Sequence, residues 1–299
     1  MALVTLSLLN GLSYGLLLFL LSSGLTLIWG LMGVFNFAHA AFYMLGAYLA
    51  YSLSAWLGFG WALLLAPLAV GLLGAGFERV GLRRVRRFGH MSELLITFGL
   101  SYMLVELVQG LWGRSAVDYR VPPLLDGALF TVFGNQFSLY RAFIMAVTLA
   151  VLGALALLVR TRTGLVVRAA LTHPDMAQAL GHNVPRVFTL VFGLGCALAG
   201  LAGVLGGSVF VTEPGMAQAL GGVVFVVVVV GGLGSLRGAF LASLLIGLLQ
   251  TCVVALDVPL LPTLKLSQLA PVLPYVVMVL TLVVRPNGLM GSAQRHAGY

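Results

Sequence analysis

The sequence predicts an all-α polytopic membrane protein, with eight to ten helices crossing the bilayer and one or two of them broken or re-entrant. Three observations lead there. The 299 residues carry only 16 basic and 8 acidic side chains, 8% of the chain, against about 25% in an ordinary soluble domain. Hydrophobic residues make up 61% and mean hydropathy is +1.09, which leaves too little polar surface to solvate a fold of this size. The apolar residues also fall in runs long enough to cross a hydrocarbon core of about 30 Å. A soluble enzyme, a disordered chain and a secreted disulfide scaffold are excluded. Because the runs are continuous rather than alternating, so is a strand-based barrel.

The runs lie near residues 3–30, 39–57, 61–77, 91–112, 139–159, 187–210, 218–233, 239–256 and 268–284. The first has no basic leader and no small-residue cleavage site, so it reads as a retained span. It passes into Gly30, Gly33, Asn36 and His39 with almost no polar linker, as a broken helix would. Between the third and fourth runs stand Arg79, Arg83, Arg84, Arg86 and Arg87; after the fifth stand Arg160, Arg162, Arg168 and Arg186. Basic residues concentrate in cytoplasmic loops, so both gaps, the turn at 231–238 and the tail from Arg285 are expected inside. Loop 113–138 then lies outside, and its Asp118, Arg120, Pro122, Pro123, Asp126, Gly127 and Asn135 are turn formers. The net charge of +8 is thereby a membrane address and not a nucleic-acid footprint. One transmembrane domain spans 1–299.

The run at 218–233 is short and ends at Gly231, Gly232 and Gly234, a second expected break. Gly30, Gly33 and Gly46 recur as Gly231, Gly234 and Gly247, each pair 201 residues apart. An internal repeat explains this, and so does chance in a chain with 38 glycines. Cys196 and Cys252 sit inside apolar runs and read as small buried side chains.

Much chemistry is missing. The chain has one lysine, Lys265, outside any glycine-rich turn, so no phosphate-cradling P-loop is present; transport driven by ATP needs an ATPase on another polypeptide. His39, His90, His173, His182 and His296 have no partner at ligand spacing. No cofactor or metal is expected on this chain, and Gly231–Ser235 reads as a tight membrane-edge turn.

The segment 160–186 carries the sharpest local signal. Thr172 stands as N-cap with Asp175 three residues on, Pro174 occupies the first turn and Gly181 closes the helix. Such a short capped cytoplasmic helix, exposing Met176, Ala177 and Leu180, is either a surface loop or a knob for a cytoplasmic partner. Within the spans, polar groups usually face the bundle interior. Asn36 and His39 flank the first break, where they either meet a solute or bond the broken backbone. Thr97 and Ser101 share one helix face, as solute contacts or packing hydroxyls. Glu106 lies deeper in the same run and reads as paired or water-exposed. Glu93 opens that helix as dipole compensation, and Glu213 and Pro214 stand at an outer end.

At Arg168-Ala169, Asp175, Ala179-Leu180-Gly181-His182-Asn183 and Val187 the chain resembles the coupling loop of the membrane permeases of branched-chain amino acid ABC importers (the LIV type, LivH-like). Asn10–Gly15, Gly24–Gly30, Asn36–His39, Leu45–Tyr48, Thr97–Ser101, Gly231–Ser235 with Gly238, and Arg285–Leu289 extend the resemblance over essentially the whole chain. Ala40, where the family commonly has glycine, and the β-branched run Val224–Val230 depart from it and limit any carry-over of solute identity.

The resemblance implies one permease subunit of a bacterial inner-membrane importer. A second permease, identical or paralogous, two ATPases using ATP and Mg²⁺, and a periplasmic solute-binding protein would complete it. Arg168, Thr172, Asp175, Met176, Ala177, Leu180 and Gly181 would then form the ATPase-coupling element. Asn36, His39, Thr97, Ser101 and Glu106 are the pathway candidates, and the solute implied is a branched-chain or related small amino acid or amino-acid-like solute, with urea, short amides and aromatic acids left open. A stand-alone ion-coupled transporter or channel is the alternative. It needs a deep ionisable group, for which Glu106 is the candidate.

Overall fold

The computed structural model describes residues 2–132, 135–172, 174–256, 259–261 and 264–291. Each apolar run becomes a helix, since backbone groups inside hydrocarbon must close their hydrogen bonds within the segment. In chain order these are α1 (Ala2–Met32), α2 (His39–Leu57), α3 (Phe59–Phe77), α4 (His90–Trp112), α5 (Leu139–Arg160), α6 (Arg162–Thr172), α7 (Pro174–Ala179), α8 (Val184–Gly207), α9 (Met216–Gly231), α10 (Leu236–Leu256) and α11 (Leu273–Val284). Helix α3 continues through a π turn at Glu78–Leu82 to Phe88. Among the described residues seven helices, α3 taken with that extension, are long and apolar enough to span a membrane; α9 and α11 are shorter apolar helices.

The bundle has an arginine-rich end and an opposite one. Arg79–Arg87, α6, α7 and both glycine breaks gather at the basic end, where Arg83 touches Pro185 and Gly30 meets Gly234. At the opposite end Val117 pairs with Thr212 across the chain, and Trp56 and Trp61 project from the α2–α3 turn, the place for interfacial aromatics. There the loop after α4 forms an antiparallel hairpin, β1 (Ala128–Val132) with β2 (Asn135–Ser138). A second small pair, β3 (Pro259–Leu261) with β4 (Leu264–Lys265), follows α10. Neither hairpin was signalled by the sequence beyond turn residues. The exposed Asp118 accepts from Arg120 Nε at 2.8 Å, which holds its carboxyl below the usual carboxylate range.

The core lies where α1, α2 and α8 meet. Leu16–Ile28 of α1, His39–Tyr48 of α2 and most of α8 beyond Val191 are buried, whereas α3, α4 and α5 turn apolar side chains outward. Lipid tails are as apolar as leucine, so the helices gain no hydrophobic drive from one another and depend on close packing. The glycines of α8 supply it: a Cβ on Gly200 would lie 2.9 Å from Val70 Cβ, and one on Gly46 would strike the Gly200 backbone. A Cβ on Gly247 would likewise lie 2.5 Å from Gly15 Cα.

Neither glycine break interrupts a helix midway. The first is the connection 33–38 between two complete helices; the second, Gly232–Ser235, separates the short α9 from α10. Gly33 (φ +66), Gly232 (φ +99) and Gly234 (φ +80) take the left-handed conformation. Gly30 and Gly231 are helical, and their role is proximity: a Cβ on Gly30 would stand 2.7 Å from Gly234 Cα. The two breaks thus touch.

Candidate functional site

Asn36 and His39 both serve the first break and line a cavity beside it. Asn36 is 3% exposed; its Oδ1 accepts from Ala38 N–H at 3.1 Å, an Asx turn that holds the non-helical chain. Its Nδ2 points at Cys196 Sγ, 3.9 Å away. His39 Nε2 lies 2.9 Å from the Leu21 carbonyl. A carbonyl only accepts, so Nε2 carries the proton, and Nδ1 is buried without a partner. Thr97, fully buried on α4, reaches across: its hydroxyl accepts from Phe37 N–H at 3.3 Å and lies 3.3 Å from the Phe35 carbonyl.

The cavity, about 340 Å³, opens on the side of the bundle between the break, α4 and α9. Asn36, His39, Ser101, Tyr102 and Gln218 give it polar groups, and Phe35, Phe37, Phe98 and Phe225 give it aromatic walls. No charged side chain lines it. The structure therefore brings together Asn36, His39 and Ser101, with Thr97 behind them. Glu106 is left out: it is exposed on α4 and belongs to no part of the lining. Glu106, the carboxylate an ion-coupled mechanism would call on, is thus no part of this chamber.

The second site is the arm α6–α7 at the basic end. Helix α6 runs from Arg162 to Thr172. Arg168 folds it back on α5, its guanidinium donating to the Val159 carbonyl at 2.8 Å. Thr172 closes α6; its side chain, like His173 and the Pro174 side chain, lies outside the described residues, and so does the capping assignment. Gly181, at φ +85, ends α7 in the left-handed region as expected, and His182 N–H reaches back to the Ala177 carbonyl at 3.0 Å.

The expected exposed face needs one correction. Met176 and Leu180 are 68% and 79% exposed, but Ala177 is 2% exposed, packed with Ala170 and Val184. On a single helical turn, the side facing α6 and α8 must be small and apolar, and Ala177 is that residue. Asp175 is exposed beside it. Asn183 then caps α8, its Oδ1 accepting from Arg186 N–H at 3.1 Å. Asn followed by Pro185 early in the helix is the ordinary N-terminal signature.

An ion-pair cluster joins this arm to the rest of the bundle. Glu78, 1% exposed in the π turn, receives Arg83 at 3.1 Å and the Thr189 hydroxyl at 2.6 Å. Arg83 also donates to the Pro185 carbonyl at 2.8 Å. Glu93, expected as dipole compensation, is 4% exposed and pairs with Arg86 and His90, both at 3.2 Å. Arg86 in turn stacks over Phe188 of α8 at 4.4 Å. The sequence signal was an acid opening an arginine cluster; what it could not show is that both acids are buried, Glu78 against Thr189 of α8 and Glu93 against Arg86. Among the described residues no three His, Cys, Asp or Glu side chains come together as a metal site.

A bundle of apolar helices, with a chamber lined by uncharged side chains and a short two-helix arm at its basic end, has the form of an integral membrane transport component. The chain belongs to the family of branched-chain amino acid transport system permease components, which it matches over residues 7–282. It is 31% identical to the high-affinity branched-chain amino acid transport system permease protein LivH of Escherichia coli K12, over 95% of this chain and 94% of that one. LivH of Salmonella typhimurium is 32% identical over the same shares. BraD of Pseudomonas aeruginosa is 31% identical over 96% of this chain and 95% of its own. No solved structure matches the chain. It is a multi-pass permease subunit of an ABC importer and a transport component rather than an enzyme.

Proposed function

We propose that this subunit passes branched-chain or closely related small amino acids across the bacterial inner membrane. It would be paired with a second permease and driven by two separate ATPases that use ATP and Mg²⁺, with a periplasmic binding protein delivering the solute. The basic end faces the cytoplasm in this reading, following the arginine bias. The chamber at Asn36, His39, Ser101 and Thr97 belongs to the pathway: it opens sideways, as half of a pathway shared with a second subunit would. Its aromatic and uncharged lining suits an aliphatic side chain better than a charged one.

One observation carries the coupling assignment. Met176 and Leu180 stand bare on a helix whose other face is locked by Ala177, and that helix leads directly into α8, where Pro185 and Thr189 are held to Glu78 and Arg83. A push on the bare face is therefore delivered to α3 and α8. From Glu93 it continues along α4 to Thr97, which holds Phe35 and Phe37 at the chamber.

The test is reconstitution with the ATPases and binding protein. Met176→Glu with Leu180→Glu should abolish stimulation of ATP hydrolysis by solute-loaded binding protein and lower uptake more than about tenfold, as loss of a buried apolar anchor pair at a docking surface does. Asp175→Asn is the milder companion. Wild-type stimulation in the double variant would sink the docking assignment.

A further inference from the structure

A second and larger cavity lies on the other side of α9, in the half of the bundle away from the arginine-rich end. It measures about 610 Å³ and is enclosed by α1, α5, α9, α10 and the start of α11. Its upper wall is polar, with Asn10, Tyr14, Arg141, Gln250 and Tyr275, and its lower wall is aliphatic, with Leu17, Ile144 and Val223. Gly222 of the first chamber lies directly against the Tyr275 hydroxyl, so α9 is a thin partition and the two cavities are distinct.

Arg141 is the feature that needs an explanation. It is half-buried in the first turn of α5, and its guanidinium bonds the Asn10 side-chain oxygen. Among the described residues no carboxylate lies within ion-pair reach of it. An arginine inside a membrane protein is costly, and it ordinarily faces a partner or a functional cavity. This one faces a cavity built in two parts, cationic and hydroxyl-bearing above, aliphatic below. Planar guanidinium groups match oxyanions with paired N–H donors.

We infer that this cavity binds an amphiphile with an oxyanion head, the head held by Arg141 and the aliphatic body laid along Leu17, Ile144 and Val223. The head is either the phosphate of a membrane phospholipid or the carboxylate of an aliphatic amino acid. The site does not depend on the pathway assignment, because it shares no lining residue with the first chamber.

The assembled transporter with its ATPases, in nanodiscs of phosphatidylcholine doped with phosphatidylglycerol, provides the test. Retained phosphatidylglycerol is counted by native mass spectrometry, and radiolabelled leucine retention is measured on the same complex. Arg141→Ala should lower retention of one ligand about tenfold, the effect of losing a charge-assisted hydrogen bond, and Arg141→Lys should keep most of it. Ala219→Leu, which fills the cavity without touching the charge, should act like Arg141→Ala. A fall in phosphatidylglycerol alone supports the site with a phospholipid head; a fall in leucine alone supports it with a carboxylate head. Unchanged retention of both ligands in Arg141→Ala and Ala219→Leu complexes overturns the proposal.

Discussion

Thr189 of α8 donates its hydroxyl to the buried Glu78 carboxylate of α3 at 2.6 Å. Arg83 reaches the same oxygen at 3.1 Å and the Pro185 carbonyl at 2.8 Å, so one buried acid fixes the entry of α8 to the π turn of α3. A π turn is a common place for a functional adjustment within a helix, and this one carries the clamp on the start of α8, directly after the arm α6–α7.

Removing the acid should therefore be felt twice. Glu78→Ala removes the carboxylate that Arg83 and Thr189 share, leaving them the Pro185 carbonyl, and should cost about 3 kcal/mol, the low end for a broken buried pair because Arg83 reaches water. Thr189→Val removes the bond donated to Glu78 and the one accepted from Arg83 and should cost about 2 kcal/mol. Thermal unfolding of the purified complex ranks the two. Transport assays on the surviving fraction should show solute uptake lost more than basal ATP hydrolysis; equal loss of both would make the clamp merely structural.

The two glycine breaks meet through Gly30 and Gly234, and the positions of the break glycines separate two kinds of requirement. Gly30 is helical and needs absence of a side chain, because a Cβ there falls 2.7 Å from Gly234 Cα. Gly33 has open space around it but a φ of +66. Gly30→Ala should cost about 1–3 kcal/mol by overpacking. Gly33→Asn should be nearly neutral, since Asn tolerates the left-handed region. Expression and unfolding temperature of the two variants check the order, and a reversed order would refute the proximity argument.

On α7 the same logic divides adjacent residues. Ala177→Leu places three extra carbons between Ala170 and Val184 and should destabilise the arm by about 1–3 kcal/mol. Met176→Ala removes an exposed side chain and should leave unfolding unchanged while weakening co-purification of the ATPases. The decisive measurement is that pair of readouts on the two variants, because a passive surface loop would show neither.

How much of this was legible beforehand follows from what each feature depends on. The nine apolar runs map onto nine helices because span length is a property of the local sequence. Gly181 was legible for the same reason, a left-handed residue closing its own helix. The burial of Ala177 was not, since it is decided by α6 and α8 packing on one side of a six-residue helix. Glu93 read as a first-turn acid, which it is, but its partner Arg86 arrives from the end of the α3 rod. Asn36 and His39 were correctly drawn to the first break; that Asn36 bonds the break itself while His39 bonds α1 depends on how those helices cross. Glu106 was singled out for its depth alone, and depth does not say which way a residue faces.

Thr97 is the sharpest case of a long-range contact, because it joins α4 to a backbone sixty residues earlier. Its hydroxyl accepts from Phe37 N–H at 3.3 Å, a donor at the connection between α1 and α2 where the helical ladder is absent. A buried amide left without an acceptor costs about 1–3 kcal/mol. Thr97→Val keeps the shape and removes that acceptor, so the connection should loosen and Asn36, one residue from Phe37, should lose its fixed position in the chamber. Thr97→Ser retains the hydroxyl and should behave as wild type. The expected result in proteoliposomes is a raised KM for solute in Thr97→Val, basal ATP hydrolysis unchanged, and rescue in Thr97→Ser. If Thr97→Val transports with unaltered KM, the hydroxyl only packs, and the link from Glu93 to the chamber ends at α4.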